Sequence, residues 1–453
     1  MSESRETLIR LSPTGGNMNQ IDTETARQKA ATGDRATFPM DPGARRRAFL
    51  VLTLGLMCTG FSQAVVYAIL PPIARELGLS ELQVGSIFVL SSLFWLITTP
   101  WWGRRSDRLG RKTTVLIGLL GFSLSMLLFT FTLEAAKAAW ISIAVGFPIL
   151  IVTRSLYGLI VSAANPAAQA YVADRSTRDE RTRAVATIAA AYGLGATVGP
   201  GLSASLVIVD ILAPFYFCVL LGLLSAALIW FFLPETERPV PSREKKRMRI
   251  FDRRIVLNLA NGGLISAAQA VMIQTVAFYM MDRLVLPLDD AAQYAGIGLM
   301  AASMATLFSQ LVIVHRFRMT APALERGGLG ISAAAFLLLA FADQIGPLVF
   351  ALTMIGLGQG MARPGNAAVA SLVVRRDEQG AVAGLSNATN AAGFLVMPFI
   401  AMPAYQIDPA LPYFIGAGLL ALAMTISFID PNTRRAGTKG FDADDLDDPM
   451  QQI

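Results

Sequence analysis

The sequence is poor in charge. Of its 453 residues only 15% are Asp, Glu, Lys or Arg, whereas a soluble globular protein carries roughly a quarter. A larger core cannot absorb that deficit at this length. Most of the chain must therefore face lipid, or a protein interior within lipid, and a string of soluble domains is excluded. Cysteine is nearly absent as well. Cys58 and Cys218 each sit inside an apolar run, which excludes a disulfide framework. A single histidine, His315, argues against an imidazole-built metal site and a Ser-His-Asp hydrolase. No phosphate-binding Gly-x-x-x-x-Gly-Lys-Ser/Thr segment occurs, which argues against ATP-driven pumping. No cofactor and no metal is expected. What the chain has instead is 54% hydrophobic residues and a mean hydropathy of +0.52.

The apolar residues come in twelve stretches, at about 48–70, 82–102, 113–133, 139–163, 185–208, 212–233, 255–281, 292–314, 328–342, 346–374, 382–404 and 411–430. Most are near the roughly 20 residues a helix needs to cross the hydrocarbon core. The organisation expected is a disordered polar tail over 1–44 and a six-helix bundle over 45–233. A basic loop over 234–254 separates it from a second six-helix bundle over 255–430, and an acidic tail over 431–453 follows. The first apolar run is long enough to span, so it is not read as a signal peptide.

Basic residues orient the spans. One set of connections holds Arg104, Arg105, Arg108, Arg111 and Lys112, then Arg175, Arg178, Arg181 and Arg183, the whole central loop, and Arg316, Arg318, Arg326, Arg375 and Arg376. The opposite set holds only Arg75, Lys137 and Arg283. Both termini are thus expected in the cytoplasm. The net charge of +6 reads as an orientation signal in a lipid bilayer, not as a nucleic-acid surface.

The halves match. Pro166 precedes Pro200 by 34 residues, and Pro364 precedes Pro398 by the same 34. A shift of 198 superposes both pairs and lays Gly195 on Gly393. Repeated halves around a midplane cavity are how many secondary transporters are built.

Between the second and third spans runs Gly103-Arg-Arg-Ser-Asp107-Arg108-Leu-Gly110-Arg111-Lys112. So short a turn calls for glycine, and Asp107 suits a helix N-terminus, where the dipole favours a carboxylate. The fifth span carries Gly193, Gly195, Gly199, Pro200 and Gly201. Glycines four apart let helices approach closely in lipid, and proline frees a carbonyl. Arg154 in the fourth span is followed by Gly158. An arginine at that depth is costly unless it faces a polar interior.

These segments resemble the major facilitator superfamily. The loop matches its Gly-x-x-x-Asp-Arg-x-Gly-Arg-Lys signature at every position. Gly195-x-x-x-Gly199-Pro200 is similar to its antiporter signature, with Ser203 and Ala204 where the family continues with glycines. Arg154-x-x-x-Gly158 resembles its intramembrane arginine pattern, with Tyr157 in place of the usual glutamine. The resemblance implies an all-α membrane protein of twelve transmembrane helices in two pseudo-symmetric six-helix bundles, lodged as a monomer in a bacterial inner membrane. It implies a secondary active transporter, not an enzyme, working by alternating access. Proton-coupled efflux of a small lipophilic or anionic compound is the activity implied; the alternatives are export of a carboxylate-rich metabolite such as a siderophore, or uptake by symport. Gly103, Asp107, Arg108, Gly110, Arg111 and Lys112 would form the cytoplasmic gate. Gly195, Gly199, Pro200 and Gly201 would set the fifth helix, and Arg154 would support coupling.

No Asp or Glu falls in the middle of any assigned span, whereas two arginines, Arg154 and Arg363, lie at depth. That asymmetry points to a neutral or anionic substrate rather than a cation. The shift of 198 sets Arg363 opposite Asn165, so it is not the repeat mate of Arg154; it either contacts substrate or reaches out to the cytoplasm. Gln63, Tyr67, Asn165, Gln169, Asn261, Gln269, Gln359 and Asn390 are the further cavity candidates, because intramembrane amides face the bundle interior.

Overall fold

The computed structural model describes residues 42–176, 178–234, 252–317, 319–375 and 378–436. Residues 1–41 of the expected N-terminal tail, most of the central basic loop and residues 437–453 of the expected acidic tail lie outside the described residues, whereas 42–44 belong to the first helix and Pro431–Arg435 form a short one. Among the described residues twelve long helices follow one another: α1 (Pro42–Glu76), α2 (Glu81–Leu109), α3 (Arg111–Lys137), α4 (Ile143–Asp174), α5 (Arg178–Val207), α6 (Ala213–Phe232), α7 (Val256–Arg283), α8 (Leu288–Ile313), α9 (Ala321–Phe341), α10 (Ile345–Leu372), α11 (Ala381–Ile407) and α12 (Leu411–Ile429). Each overlaps one expected stretch. Eleven are long and apolar enough to cross a membrane by length and composition. The exception is α5, alanine- and glycine-rich with charges in its first turn, yet its 30 residues make about 45 Å of helix.

Helix ends follow local chemistry. Ser80 and Gln83 form a reciprocal capping box at the start of α2. Gly110 joins α2 to α3 with φ of 96° while its N–H bonds Ser106 O, so the turn needs glycine there. α4 breaks into Ile143–Val161 and Ala164–Asp174 just ahead of Pro166, and α11 breaks at Met397 before Pro398.

The two halves repeat their packing pair by pair. In the first, α1 lies on α5 and α6, α2 on α4, and α3 on α4 and α6; in the second, α7 lies on α11 and α12, α8 on α10, and α9 on α10 and α12. The sequence shift of 198 recurs at atomic scale. A Cβ on Gly158 would sit 2.1 Å from Ser91 O on α2, and one on Gly356 would sit 1.9 Å from Ala302 O on α8. Gly195 and Gly393 likewise press on the backbones of α1 and α7.

The end of the molecule carrying most basic residues is called the basic end here, and the opposite one the far end. At the basic end the ion pairs of Arg111 with Asp107 (2.5 Å) and Asp174 (3.3 Å), and of Arg254 with Asp252 and Glu378 (2.9 Å each), stay inside their own halves. The Arg254 guanidinium holds the Asp252 carboxyl below its ordinary value of 3.8. That contribution to stability is therefore intact above pH 3.8 and is lost only as pH falls through the lowered value.

Candidate functional site

Arg154, in the apolar middle of α4, is 1% exposed. Its Nη2 donates to Gln63 Oε1 on α1 at 2.6 Å, and its guanidinium lies 4.0 Å over the Tyr157 ring. Trp95 of α2 stacks on Tyr157 at 5.9 Å, and Tyr67 packs on Phe88 at 4.7 Å, so aromatic rings wall the arginine. Its Nε is buried without a hydrogen-bond partner. A buried cation facing only a neutral amide and a ring retains unsatisfied charge.

The second half repeats the motif with other residues. Arg363 of α10 donates to Gln269 and, at 3.4 Å, to Ser266 Oγ, both on α7, and its Nε also lacks a partner. Ser266 Oγ in turn donates to Asn390 Oδ1 of α11 at 3.1 Å. Arg363 therefore turns into the bundle rather than out toward the cytoplasm. Although the sequence register does not make the arginines mates, each lies on the fourth helix of its half and bonds a glutamine of the first. Gln359, one turn before Arg363, is 4% exposed with both amide atoms unpartnered. Asn165 and Gln169 bond each other at 2.8 Å on the last turns of α4.

The loop motif is spread over several jobs. Arg111 is 7% exposed and gathers Ser106, Asp107 and Asp174, tying the α2–α3 turn to the end of α4. Lys112 donates to Trp230 O of α6 at 2.9 Å. Arg108 is exposed, and a Cβ on Gly103 would lie 4.0 Å from Pro166 Cβ. In α5, Gly195 and Gly199 press on α1, whereas Gly201 and Pro200 meet Met300 and Gly296 of α8 in the other half. The helix runs unbroken through Pro200.

One residue was missed by the sequence reading. The ninth span begins at Ala321, not near 328, which places Glu325 inside α9 at 0% exposure. The expectation is of no acid in the middle of a span; Glu325 lies near one end of α9, as its fifth residue, and is a buried acid that the expectation does not consider. The apolar run starts only after Arg326, so hydropathy assigned the acid to a loop; Ser427 of α12 and Asn261 of α7 cover it.

At the far end the halves are latched. Arg75 of α1 bonds both Glu81 and, across the halves, Asp282 of α7, which also accepts from Tyr405 at 2.6 Å; Gln406 reaches Glu81 at 3.3 Å. A hollow of about 620 Å³ nearby, lined by Glu134, Lys137, Asp210 and Tyr216, shares no residue with either arginine cluster.

Residues 52–398 and 324–443 match the family model described as Major Facilitator Superfamily. The chain belongs to the Major Facilitator Superfamily. It is a transporter, not an enzyme. This facilitator is 26% identical over 397 residues to multidrug resistance protein 1 of Bacillus subtilis (strain 168), covering 86% of this chain and 98% of that one. It is 22% identical to the quinolone resistance protein NorA of Staphylococcus aureus (strain COL), covering 86% and 97%. Among solved structures it superposes on a bacterial homologue of the human lysosomal transporter Spinster, in an inward-facing and unoccupied conformation, with a TM-score of 0.66 at 14% identity over 88% of this chain and all of that one. The human organic anion transporter MFSD10 (TETRAN) superposes with a TM-score of 0.61 at 20% identity, over 85% and 100%.

The latch gives a first prediction. Partly exposed ion pairs are worth up to about 1 kcal/mol, roughly fivefold in an equilibrium. Arg75→Ala is expected to shift the far end toward opening by about that factor. Spin labels at positions 80 and 407 would then gain a longer distance component, and an unchanged distribution would show that the latch does not set the equilibrium.

Proposed function

We propose that this facilitator exports small organic anions and neutral lipophilic compounds in exchange for protons, with its basic end and both termini in the cytoplasm of a bacterial cell. The observation that carries the reading is the pair of deep arginines, one per half, each bonded to a glutamine and, among the described residues, to no carboxylate. An anion entering between the halves supplies the charge both lack. The aromatic wall around Arg154 suits a lipophilic body beside that charge. The far-end latch closes one mouth, while the basic-end ion pairs of Arg111 and Arg254 named above stay within their halves, an arrangement that suits an inward-facing state. Similarity to multidrug and quinolone resistance proteins, and the likeness in fold to an organic anion transporter, favour the same substrate classes. The resemblance of Gly195-x-x-x-Gly199-Pro200 in α5 to the family's antiporter signature favours exchange over symport, and these residues press the helix against α1 and against α8 of the other half.

The test is transport by purified protein in liposomes with an interior pH dye. Norfloxacin, a neutral lipophile, a tricarboxylate and tetraphenylphosphonium are offered singly under an imposed proton gradient. Proton flux with norfloxacin or a neutral lipophile, and none with the permanent cation, is the expected result. Flux with the cation alone would overturn the reading. Flux confined to the tricarboxylate would select a second one, export of a carboxylate-rich metabolite, which the two arginines also favour.

A further inference from the structure

The buried acid of α9 sits in a cage of amides. Glu325 Oε1 accepts from Asn261 Nδ2 at 3.2 Å, and Oε2 accepts from Ser427 Oγ at 2.9 Å. Asn258 of α7 donates to Asn366 Oδ1 of α10 at 2.9 Å and to Asn366 O at 3.0 Å. In that arrangement Asn366 Oδ1 faces Glu325 Oε1 across 3.1 Å, oxygen against oxygen. Turning the Asn366 amide over replaces the clash with a hydrogen bond from its NH2 to the acid at the same 3.1 Å. Asn258 Oδ1 and Asn261 Oδ1, on side chains 2% and 1% exposed, are left without donors. Two amide oxygens of the cage lack a donor, and a third faces the acid.

We propose that Glu325 is a proton-binding site whose occupancy turns the Asn366 side chain. With the acid ionised, Asn366 presents its NH2 to the carboxylate, and Asn258, whose Nδ2 would stand 2.9 Å from that NH2, turns its own amide to offer the unpartnered Oδ1 instead. With a proton on Oε1, the hydroxyl donates to Asn366 Oδ1, which accepts from Asn258 Nδ2 as well, and the 3.1 Å oxygen contact becomes a hydrogen bond. One proton enters from water and returns to water, and no other bond forms or breaks. The amide flip changes which face of Asn366 meets α7.

The charged surroundings permit both states. On α9 itself, Arg326 is engaged by Ser427 O at 2.5 Å and lies over the Phe428 ring at 4.3 Å. Beyond α12, Asp430 is taken by the N–H groups of Asn432 and Thr433 and by the Thr433 hydroxyl. Ahead of α7, Arg254 is paired with Asp252 and Glu378, and on α10 Arg363 is bonded to Gln269 and Ser266. Among the described hydrogen bonds and ion pairs, no cation reaches the carboxylate. An acid locked to an arginine must break an ion pair to take up a proton; one held by neutral donors need not.

The site is placed to act on substrate. Asn366 lies three residues after Arg363 on α10, and Asn261 lies five before Ser266 on α7, so the helices that hold the acid also hold the second arginine. The inference rests on the proton-coupled reading above for its role in transport, but the site itself can be tested without substrate.

The first arm is a pH-induced infrared difference spectrum of the purified transporter in lipid, with no ligand added. A titrating carboxylic-acid band that disappears in Glu325→Gln is expected. Absence of such a band in the wild type, or its persistence in Glu325→Gln, overturns the assignment. Glu325→Asp covers failure of the amide variant to reach the membrane: it is expected to move the band, and an unmoved band again overturns the assignment. The second arm uses norfloxacin in liposomes. A one-unit pH gradient coupled to one proton supports about tenfold accumulation. Glu325→Gln is expected to lose that accumulation while keeping norfloxacin counterflow. Gradient-driven accumulation surviving in Glu325→Gln removes the acid from coupling. A wild type that shows the band yet ignores the gradient sinks the coupling reading and leaves the proton site standing.

Discussion

Arg154→Met is expected to raise the unfolding temperature of the transporter and at the same time nearly abolish transport of a carboxylate probe. The two signs come from one geometry. Arg154 is 1% exposed and makes one side-chain hydrogen bond, to Gln63, with Nε left unpaired. A buried charge so poorly compensated costs several kcal/mol, and a hydrophobic replacement of similar volume commonly stabilises by about 1–4 kcal/mol. Stability sacrificed at one position is what a binding or coupling site looks like. The guanidinium's bond to an anion is worth about 1.5–3 kcal/mol, which is roughly 10–150-fold in affinity. Thermal unfolding in detergent and norfloxacin flux in liposomes measure the two effects separately. A fall in unfolding temperature would instead make Arg154 a structural tie between α1 and α4.

The twelve long helices, the duplication and the loop signature were legible because their signals are one-dimensional. A basic loop breaks hydropathy, and a glycine that must meet a backbone recurs at the same shift in both halves: Gly158 and Gly356 are 198 apart and do the same work. Partnerships were not legible. Gln63 and Arg154 are separated by 91 residues, Gln269 and Arg363 by 94, and no spacing rule links residues that meet only because helices one and four of a half pack side by side. Register alone could not pair the two arginines either, since long flexible side chains reach their glutamines from different levels. Glu325 escaped for another reason. Its neighbour Arg326 made the segment read as a charged loop, yet the first turns of α9 are covered by α7, α10 and α12. Burial by neighbouring helices does not register in a hydropathy profile.

Gly195→Ala is expected to eliminate transport, whereas Gly193→Ala, two residues earlier on the same helix, leaves it near the wild-type level. A Cβ on Gly195 would stand 1.9 Å from Met57 O and 2.7 Å from Met57 C, while one on Gly193 meets nothing within 4 Å. The contact is reciprocal, since a Cβ on Gly60 of α1 would stand 1.9 Å from Tyr192 O of α5. Both obstacles are helical backbone, which cannot rotate away as a side chain can, so relief requires α1 and α5 to separate. Overpacking of this kind costs about 1–3 kcal/mol or more. Spreading α5 also disturbs its contact with α8, where Gly201 and Pro200 meet Met300 and Gly296. Gly201→Ala collides only with the Met300 side chain, whose sulfur would lie 1.9 Å away but can swing aside, so its effect is expected to fall between the other two. At Gly193 alanine trades a flexible residue for a better helix former, a gain of about 0.5–1 kcal/mol. Membrane yield and norfloxacin flux for the three variants set the order. If Gly195→Ala transported as well as Gly193→Ala, the glycines of α5 would be a matter of composition, and the close seam between α1 and α5 would not be part of the transport cycle.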